Sequence, residues 1–370
     1  MSFLRKLLGG RSNVGGLDLG CNTLKLAQVI KTPTGYQLSK LAIGQTPPQA
    51  FKDGVVADAR LLADKVREII LNSKINISRV VGAVSGQSVV IRPINMTQMT
   101  DRELQHAIRF EAERYLPYPV AEAIISGLVL RRDIEGEEKS MEVLLVAAPN
   151  DLVKSTQDVT KMAVLEPHAI DIEPFALARA LQLAVEPEVF QKTIALINMG
   201  ATFTGISIFK GGMLRHHRTV TVAGNSFTKA IGQSLNLSFE EAEKIKKDKG
   251  AIRLEKDSSP VAPTTMRIFN VIVPVLTELM TEIQRSFDYY RSRYRGESVD
   301  QIVLCGGTAL FKNMDAYIGN ELGIPCIVGD PLKSLSLGDI PGLSSEEIRE
   351  MSPSLMVVVG LALRDIAKGR

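Results

Sequence analysis

The chain has 370 residues, 45% of them hydrophobic, and its 44 Lys and Arg against 41 Asp and Glu leave a net charge of +3. That length is long for one core and suits two lobes around a cleft, and so small a charge, mixed along the chain, gives no argument for a nucleic-acid partner. The three cysteines, Cys21, Cys305 and Cys326, have neither CxxC nor zinc spacing, so a reducing cytoplasm is expected and a thiolate metal site is not.

Residues 1–10 have too short an apolar core for a secretory signal, and the apolar run 355–363 is too short to span a bilayer, so a soluble protein is expected. Phe3, Leu4, Leu7 and Leu8 beside Arg5, Lys6 and Arg11 read as a short amphipathic turn that touches a membrane surface or as a frayed terminus, the commoner case. Residues 15–29 then read as a hairpin. A strand carrying Asp18 enters a turn at Gly20, Asn22 and Thr23, and the chain leaves as a strand with Lys25 five residues after the glycine. Gly35 and Tyr36 begin a third antiparallel strand. A helix over 58–73 turns Leu61, Leu62, Val66, Ile69 and Ile70 to one face, and 80–85 is a buried strand, which sets the class as α/β.

The segment 88–159 reads as an insertion with its own sheet and helix. Thr100 and Glu103 fit a capping box that opens a helix ending before Pro117, and strands at 124–130 and 141–148 flank the acidic tip 133–138, a solvated loop. Phe110 and Tyr115 read as core residues of that helix or as walls of a groove, with core the ordinary reading. Next, residues 168–181 are a strand running into a helix with Pro174 in its first turn, which places Glu173 at a helix N-terminus. Glu173 reads as a helix-stabilising acid, or as a group that positions a water or a hydrated magnesium ion.

Residues 194–209 repeat the hairpin pattern, with a turn at Asn198, Gly200, Thr202 and Thr204. Taken alone this is an ordinary hairpin. Taken with the copy at 15–29, two glycine turns with hydroxyl donors are what a phosphate chain needs. Gly224 and Asn225 precede a helix over 227–234, and Ser238 caps another that carries Glu243 and Lys246. The longest helix spans 266–295, with Pro274 expected to kink or interrupt it. A strand at 301–305 ends in Gly306, Gly307 and Thr308, which open a helix and give a third close-approach site. A last helix is expected over 353–367.

These sites, in this order, resemble the actin-like ATPase superfamily. Residues 18–25 (DLGCNTLK) look like its first phosphate motif, 198–204 (NMGATFT) like its second, and 305–308 (CGGT) like its adenosine motif. The run EPFALA from Glu173 is similar to its connecting motif, and Glu243 and Lys246 fall where it places ribose and adenine contacts. Within the superfamily the chain is similar to the PilM family, the cytoplasmic actin-like component of type IV pilus machinery. The carrying stretches are 99–119 (MTDRELQHAIRFEAERYLPYP), 171–180 (DIEPFALARA) and 224–231 (GNSFTKAI).

The resemblance implies a two-lobed actin-like ATPase fold with ribonuclease H-like sheets and an inserted FtsA/PilM-type subdomain. The first lobe would comprise 14–87, 160–192 and 352–370, the insertion 88–159, the second lobe's sheet 193–231 and 298–351, and its outer subdomain 232–297. It implies ATP and Mg2+ as cofactors, held by Asp18 (magnesium through water), Gly20, Asn22, Thr23, Lys25, Gly200, Thr202, Thr204, Gly224, Asn225, Glu243, Lys246, Gly306, Gly307 and Thr308, with Glu173 and Asn198 in the catalytic positions. The implied partner is the cytoplasmic N-terminal peptide of PilN, with other pilus proteins such as motor ATPases beside it. The chain would be cytoplasmic and peripheral to the inner membrane through its partner, without nucleic acid, with self-association left open. Asn198 departs from the pattern, which usually has aspartate there; an amide cannot hold a cation by charge or take a proton, so slow or absent hydrolysis is expected. A polymerising actin-like ATPase, a sugar- or acetate-type kinase and an FtsA-like division scaffold are the alternatives. The last is weakened because no membrane helix follows the last helix in 361–370.

Overall fold

The computed structural model describes residues 14–132, 140–254 and 262–366. The opening segment 1–13 and the acidic tip at 133–138 lie outside the described residues.

The first lobe begins with the antiparallel strands β1 (Val14–Leu19), β2 (Thr23–Thr32) and β3 (Gly35–Gln45). A small hairpin, β4 (Phe51–Lys52) and β5 (Val55–Val56), precedes α1 (Ala59–Ser73). The Asp58 carboxylate accepts the Leu61 N–H and caps this helix, which buries Leu62, Ala63, Val66 and Ile69, while Leu61 is left 37% exposed. Strand β6 (Arg79–Val84) returns parallel to β1.

The insertion has its own three-stranded sheet in the order β7 (Val90–Thr97), β9 (Ser140–Pro149), β8 (Ala123–Arg132). Helix α2 (Asp101–Ala112) opens at the Thr100–Glu103 capping box and covers one face with Leu104, Ile108 and Ala112. Phe110 lies off that face and is 78% exposed, so it is not a core residue. Helix α3 (Asn150–Met162) packs back on α1 and β6, so the boundary expected at 159 falls within a helix that sits on the first lobe. Strand β10 (Glu166–Ile172) then pairs parallel with β6, and α4 (Glu173–Ala184) and the short α5 (Pro187–Phe190) lead into the second lobe.

That lobe repeats the plan. Strands β11 (Thr193–Met199), β12 (Thr204–Lys210) and β13 (Met213–Val220) are antiparallel. After them come α6 (Gly224–Leu235), α7 (Phe239–Lys249) and α8 (Pro263–Arg293). Strand β14 (Gln301–Cys305) runs parallel to β11 and is followed by α9 (Met314–Leu322) and β15 (Cys326–Val328). The sheet order β15-β14-β11-β12-β13 matches β10-β6-β1-β2-β3 of the first lobe, where β16 (Leu335–Leu337) adds an edge. Helices α10 (Ser345–Glu350) and α11 (Met356–Ala362) close the first lobe.

Several boundaries differ from expectation for local reasons. Helix α6 starts at Gly224, three residues before Phe227, because the Ser226 hydroxyl accepts the Ala223 N–H and so caps an earlier turn. Pro274 sits inside α8 without interrupting it; Pro274 and Asn270, whose carbonyl loses its helical donor, are both on the exposed face of the helix, where the lost bond costs least. Gly307 opens a 3-10 turn to Leu310, not an α-helix, and the last helix is a 3-10 turn at Ser352–Leu355 followed by α11. Among the described residues no helix is long and apolar enough to cross a membrane.

Candidate functional site

A cleft of about 670 Å³ opens between the two sheets, walled by the turns that end their central strands. On the first-lobe side, the β1–β2 register sets Asp18 directly opposite Lys25, and the ammonium lies 2.9 Å from the Asp18 carboxylate. Lys25 is only 7% exposed, and Asp18 is the carboxylate its buried ammonium faces. Gly20 keeps the turn tight, since a Cβ there would lie 2.6 Å from the Thr23 carbonyl. The Thr46 hydroxyl fixes the same turn by donating to the Gly20 carbonyl at 2.6 Å.

Across the cleft, three segments lock together at the Gly200 carbonyl, which accepts the Gly224 N–H at 2.9 Å and the Thr308 hydroxyl at 3.0 Å. Gly306, at φ +87°, passes so close that a Cβ would lie 2.5 Å from the Met199 carbonyl and 2.7 Å from Asn198 Oδ1. At the cleft floor, Glu173 leaves the end of β10 and accepts a hydrogen bond from Asn198 Nδ2 at 2.7 Å. Burial pushes the Glu173 carboxyl above its ordinary pKa and Asp18 adds to the rise, against the hydrogen bonds from Asn198 and Ser85 and the charge of Lys25. The other side of the Asn198 amide accepts from the Cys305 thiol at 3.7 Å, so both ends of the amide are engaged. Burial holds that thiol well above its usual range.

The family model described as type IV pilus assembly protein PilM matches residues 16–366. The chain belongs to the PilM family. A solved PilM–PilN type IV pilus biogenesis complex is 30% identical, covering 96% of this chain and 99% of that one, at a TM-score of 0.83. Cell division protein FtsA of Escherichia coli (strain K12) is 24% identical over 370 residues, covering 89% of this chain and 86% of its own length. MreB 5 of Spiroplasma citri, solved bound to AMPPNP, is 15% identical, covers 96% of each chain and has a TM-score of 0.54, a likeness of fold alone. The PilM-family fold here is thus the two-lobed actin-like ATPase fold with its inserted FtsA/PilM-type subdomain.

In this PilM-family cleft the structure gathers Asp18, Gly20, Asn22, Thr23, Lys25, Glu173, Asn198, Gly200, Thr202, Gly224, Asn225, Glu243, Lys246, Gly306, Gly307 and Thr308 on one lining. Thr204 is not among them. It is fully buried and its hydroxyl donates to the Val222 carbonyl at 2.7 Å, because strand pairing with Met199 turns it into the sheet. Some backbone N–H groups along this wall are used within the protein. The Gly200 N–H donates to the Phe203 carbonyl, and the Gly224 and Asn225 N–H groups donate to the Gly200 and Ala201 carbonyls, which shapes the turn and removes those donors. At the far end Glu243 lies 2.6 Å from Lys246, whose ammonium also donates to the Gly224 carbonyl and the Thr228 hydroxyl. Burial opposes ionisation of Glu243, but Lys246 and the hydrogen bonds around it bring the carboxyl below its ordinary value.

Ser85, Cys21, Phe203 and Thr219 also line the cleft; Cys21 and Phe203 fall within the two phosphate-motif stretches, which assign neither a role, and Ser85 and Thr219 carried no sequence signal that set them apart. Ser85 reaches Glu173 only because β6 and β10 pair in parallel, with Val84 beside Ile172, so that the residues after the two strands meet.

Proposed function

We propose that this PilM-family chain is an ATP-binding scaffold of the type IV pilus assembly machinery that docks the cytoplasmic N-terminal tail of the inner-membrane protein PilN. It links the membrane complex to cytoplasmic components and turns ATP over slowly or not at all. The observation that carries the reading is the likeness, over essentially the whole chain, to a PilM solved together with PilN.

Two features of the molecule support it. The cleft suits a polyphosphate: turns held tight at Gly20 and Gly306, where a Cβ would strike the Thr23 and Met199 carbonyls, a buried Lys25 ammonium, and Asp18 beside it. Magnesium would be held through water by Asp18 and by phosphate oxygens, and when bound it neutralises phosphate charge. On the insertion, β8 is a sheet edge with Ile124 and Leu128 half exposed, a surface on which an extended peptide adds backbone hydrogen bonds and apolar contacts. The hydrolytic deficiency rests on Asn198, whose amide is spent on Glu173 and Cys305.

Titrating the purified protein with a synthetic PilN tail peptide, with and without Mg-ATP, tests the scaffold by heat of binding. Saturable binding is expected, and a change of affinity with ATP would couple cleft to peptide site. An absence of binding in both states would sink the reading and raise that of a division scaffold.

A further inference from the structure

The turn between β11 and β12 carries Phe203 at its tip, and this ring leaves the second lobe to lie on the first. It seats in a notch made by two glycines. A Cβ on Gly54, in the turn between β4 and β5, would lie 2.1 Å from Phe203 Cε2 and 2.6 Å from Cζ, and one on Gly86, after β6, would lie 3.5 Å from Cε2. Gly54 has φ +80° and Gly86 φ +116°, conformations that L side chains rarely adopt, so both turns present bare backbone to the ring. Phe51, Gly54 and Phe203 all line the cleft together with the glycine turns at Gly20 and Gly200. The ring therefore bridges the two lobes beside the turn that bends at Gly200, whose own N–H is tied back to the Phe203 carbonyl.

We propose that Phe203 is a latch that holds the two lobes closed over the nucleotide and gates its exchange. The inference rests on the nucleotide-binding reading above. Turn and ring move together, because the Gly200–Phe203 hydrogen bond closes them into one unit, so opening the phosphate wall lifts the ring out of its notch. The apolar ring on bare glycine is a contact that forms only when the lobes are closed. It biases an equilibrium between closed and open states and adds no polar contact to the ligand.

Stopped-flow binding of Mg-mant-ATP to the full chain separates a gate from a simple contact. In Phe203→Ala the association and dissociation rates should both rise, by about tenfold or more if the open state of the parent is populated at roughly 10% or less, with the dissociation constant changed far less. Gly54→Ala keeps the phenylalanine but puts a methyl group where the ring sits, and should give the same kinetic change; a thermal melt of each variant verifies folding. Unchanged rates in both variants would overturn the latch while leaving nucleotide binding intact. A faster dissociation matched by an equal loss of affinity would also overturn it, since Phe203 would then be a ligand contact only. Failure of the parent protein to bind Mg-mant-ATP at all would remove the latch and the nucleotide reading together.

Discussion

His217 shows how a single partly buried side chain ties stability to pH. Its ring lies 2.9 Å from the Ser207 hydroxyl and 3.2 Å from that of Thr219, beneath the cleft floor. Burial there draws its pKa down to about 3, with His216 adding to the shift. Between pH 6.5 and pH 3 the unfolded chain therefore binds a proton that the folded one refuses, so this contribution is complete above pH 6.5 and is lost as pH falls, by about 1.4 kcal/mol per pH unit. From pH 7 to pH 5 the urea-unfolding free energy should drop by about 2 kcal/mol on account of His217, and His217→Gln should shrink the drop by that amount. An equal drop in the variant would refute the assignment. Asn198 is the second residue with a measurable consequence. Asn198→Asp would replace the amide facing Glu173 with a second carboxylate, a base at a position where the amide can take no proton. With Mg-ATP, phosphate release should rise about tenfold or more, equivalent to about 1.4 kcal/mol off the barrier, and a colorimetric phosphate assay on both proteins decides it.

At the level of elements, what the sequence made readable was local chemistry. The Asp58, Thr100 and Ser238 caps start their helices where the residues say, because a capping side chain and the N–H it serves are only three residues apart. The glycine turns were legible for the same reason. What was not legible depended on partners distant in the chain: Thr204 faces into the sheet by its pairing with Met199, Ser85 meets Glu173 by parallel pairing, and Phe110 is exposed because α2 buries a neighbouring stripe. One element end departs from local preference altogether. After α3, the N–H groups of Val164 and Leu165 return to the Lys161 and Thr160 carbonyls at 2.9 and 3.1 Å, the bonding of a Schellman ending. Its left-handed position, φ 62°, is held by a β-branched residue that is 78% exposed. Val164→Asn should therefore stabilise the chain by about 1 kcal/mol, read as a higher urea midpoint at unchanged slope. A loss of stability would mean that the valine methyls contribute packing that outweighs the backbone strain.

The whole molecule has two sheets built to one plan, and such chains often unfold lobe by lobe. Here the lobes share a core. Val81, Leu177 and Leu361 of the first lobe pack in one cluster with Leu144 of the insertion and with Ile194, Leu196, Phe209 and Val303 of the second lobe. Polar contacts run the same way. Arg215, the extra residue at a bulge in β13, lies 3.1 Å from Glu142 on β9, and Arg293 of α8 donates to the Pro93 carbonyl of β7 at 3.0 Å. The insertion is thus tethered covalently to the first lobe and by side chains to the second, so neither lobe can lose its packing while the other keeps its own. Urea unfolding followed by far-UV circular dichroism and by tyrosine fluorescence, usable because the chain has no tryptophan, should give coincident single transitions. Leu196, fully buried at the centre of the shared cluster, provides the sharper test. Leu196→Ala should lower the one transition by about 2–5 kcal/mol without splitting it, because the cavity it leaves belongs to both lobes. A second transition in the variant, with the first unmoved, would show that the cluster does not bind the lobes into one cooperative unit.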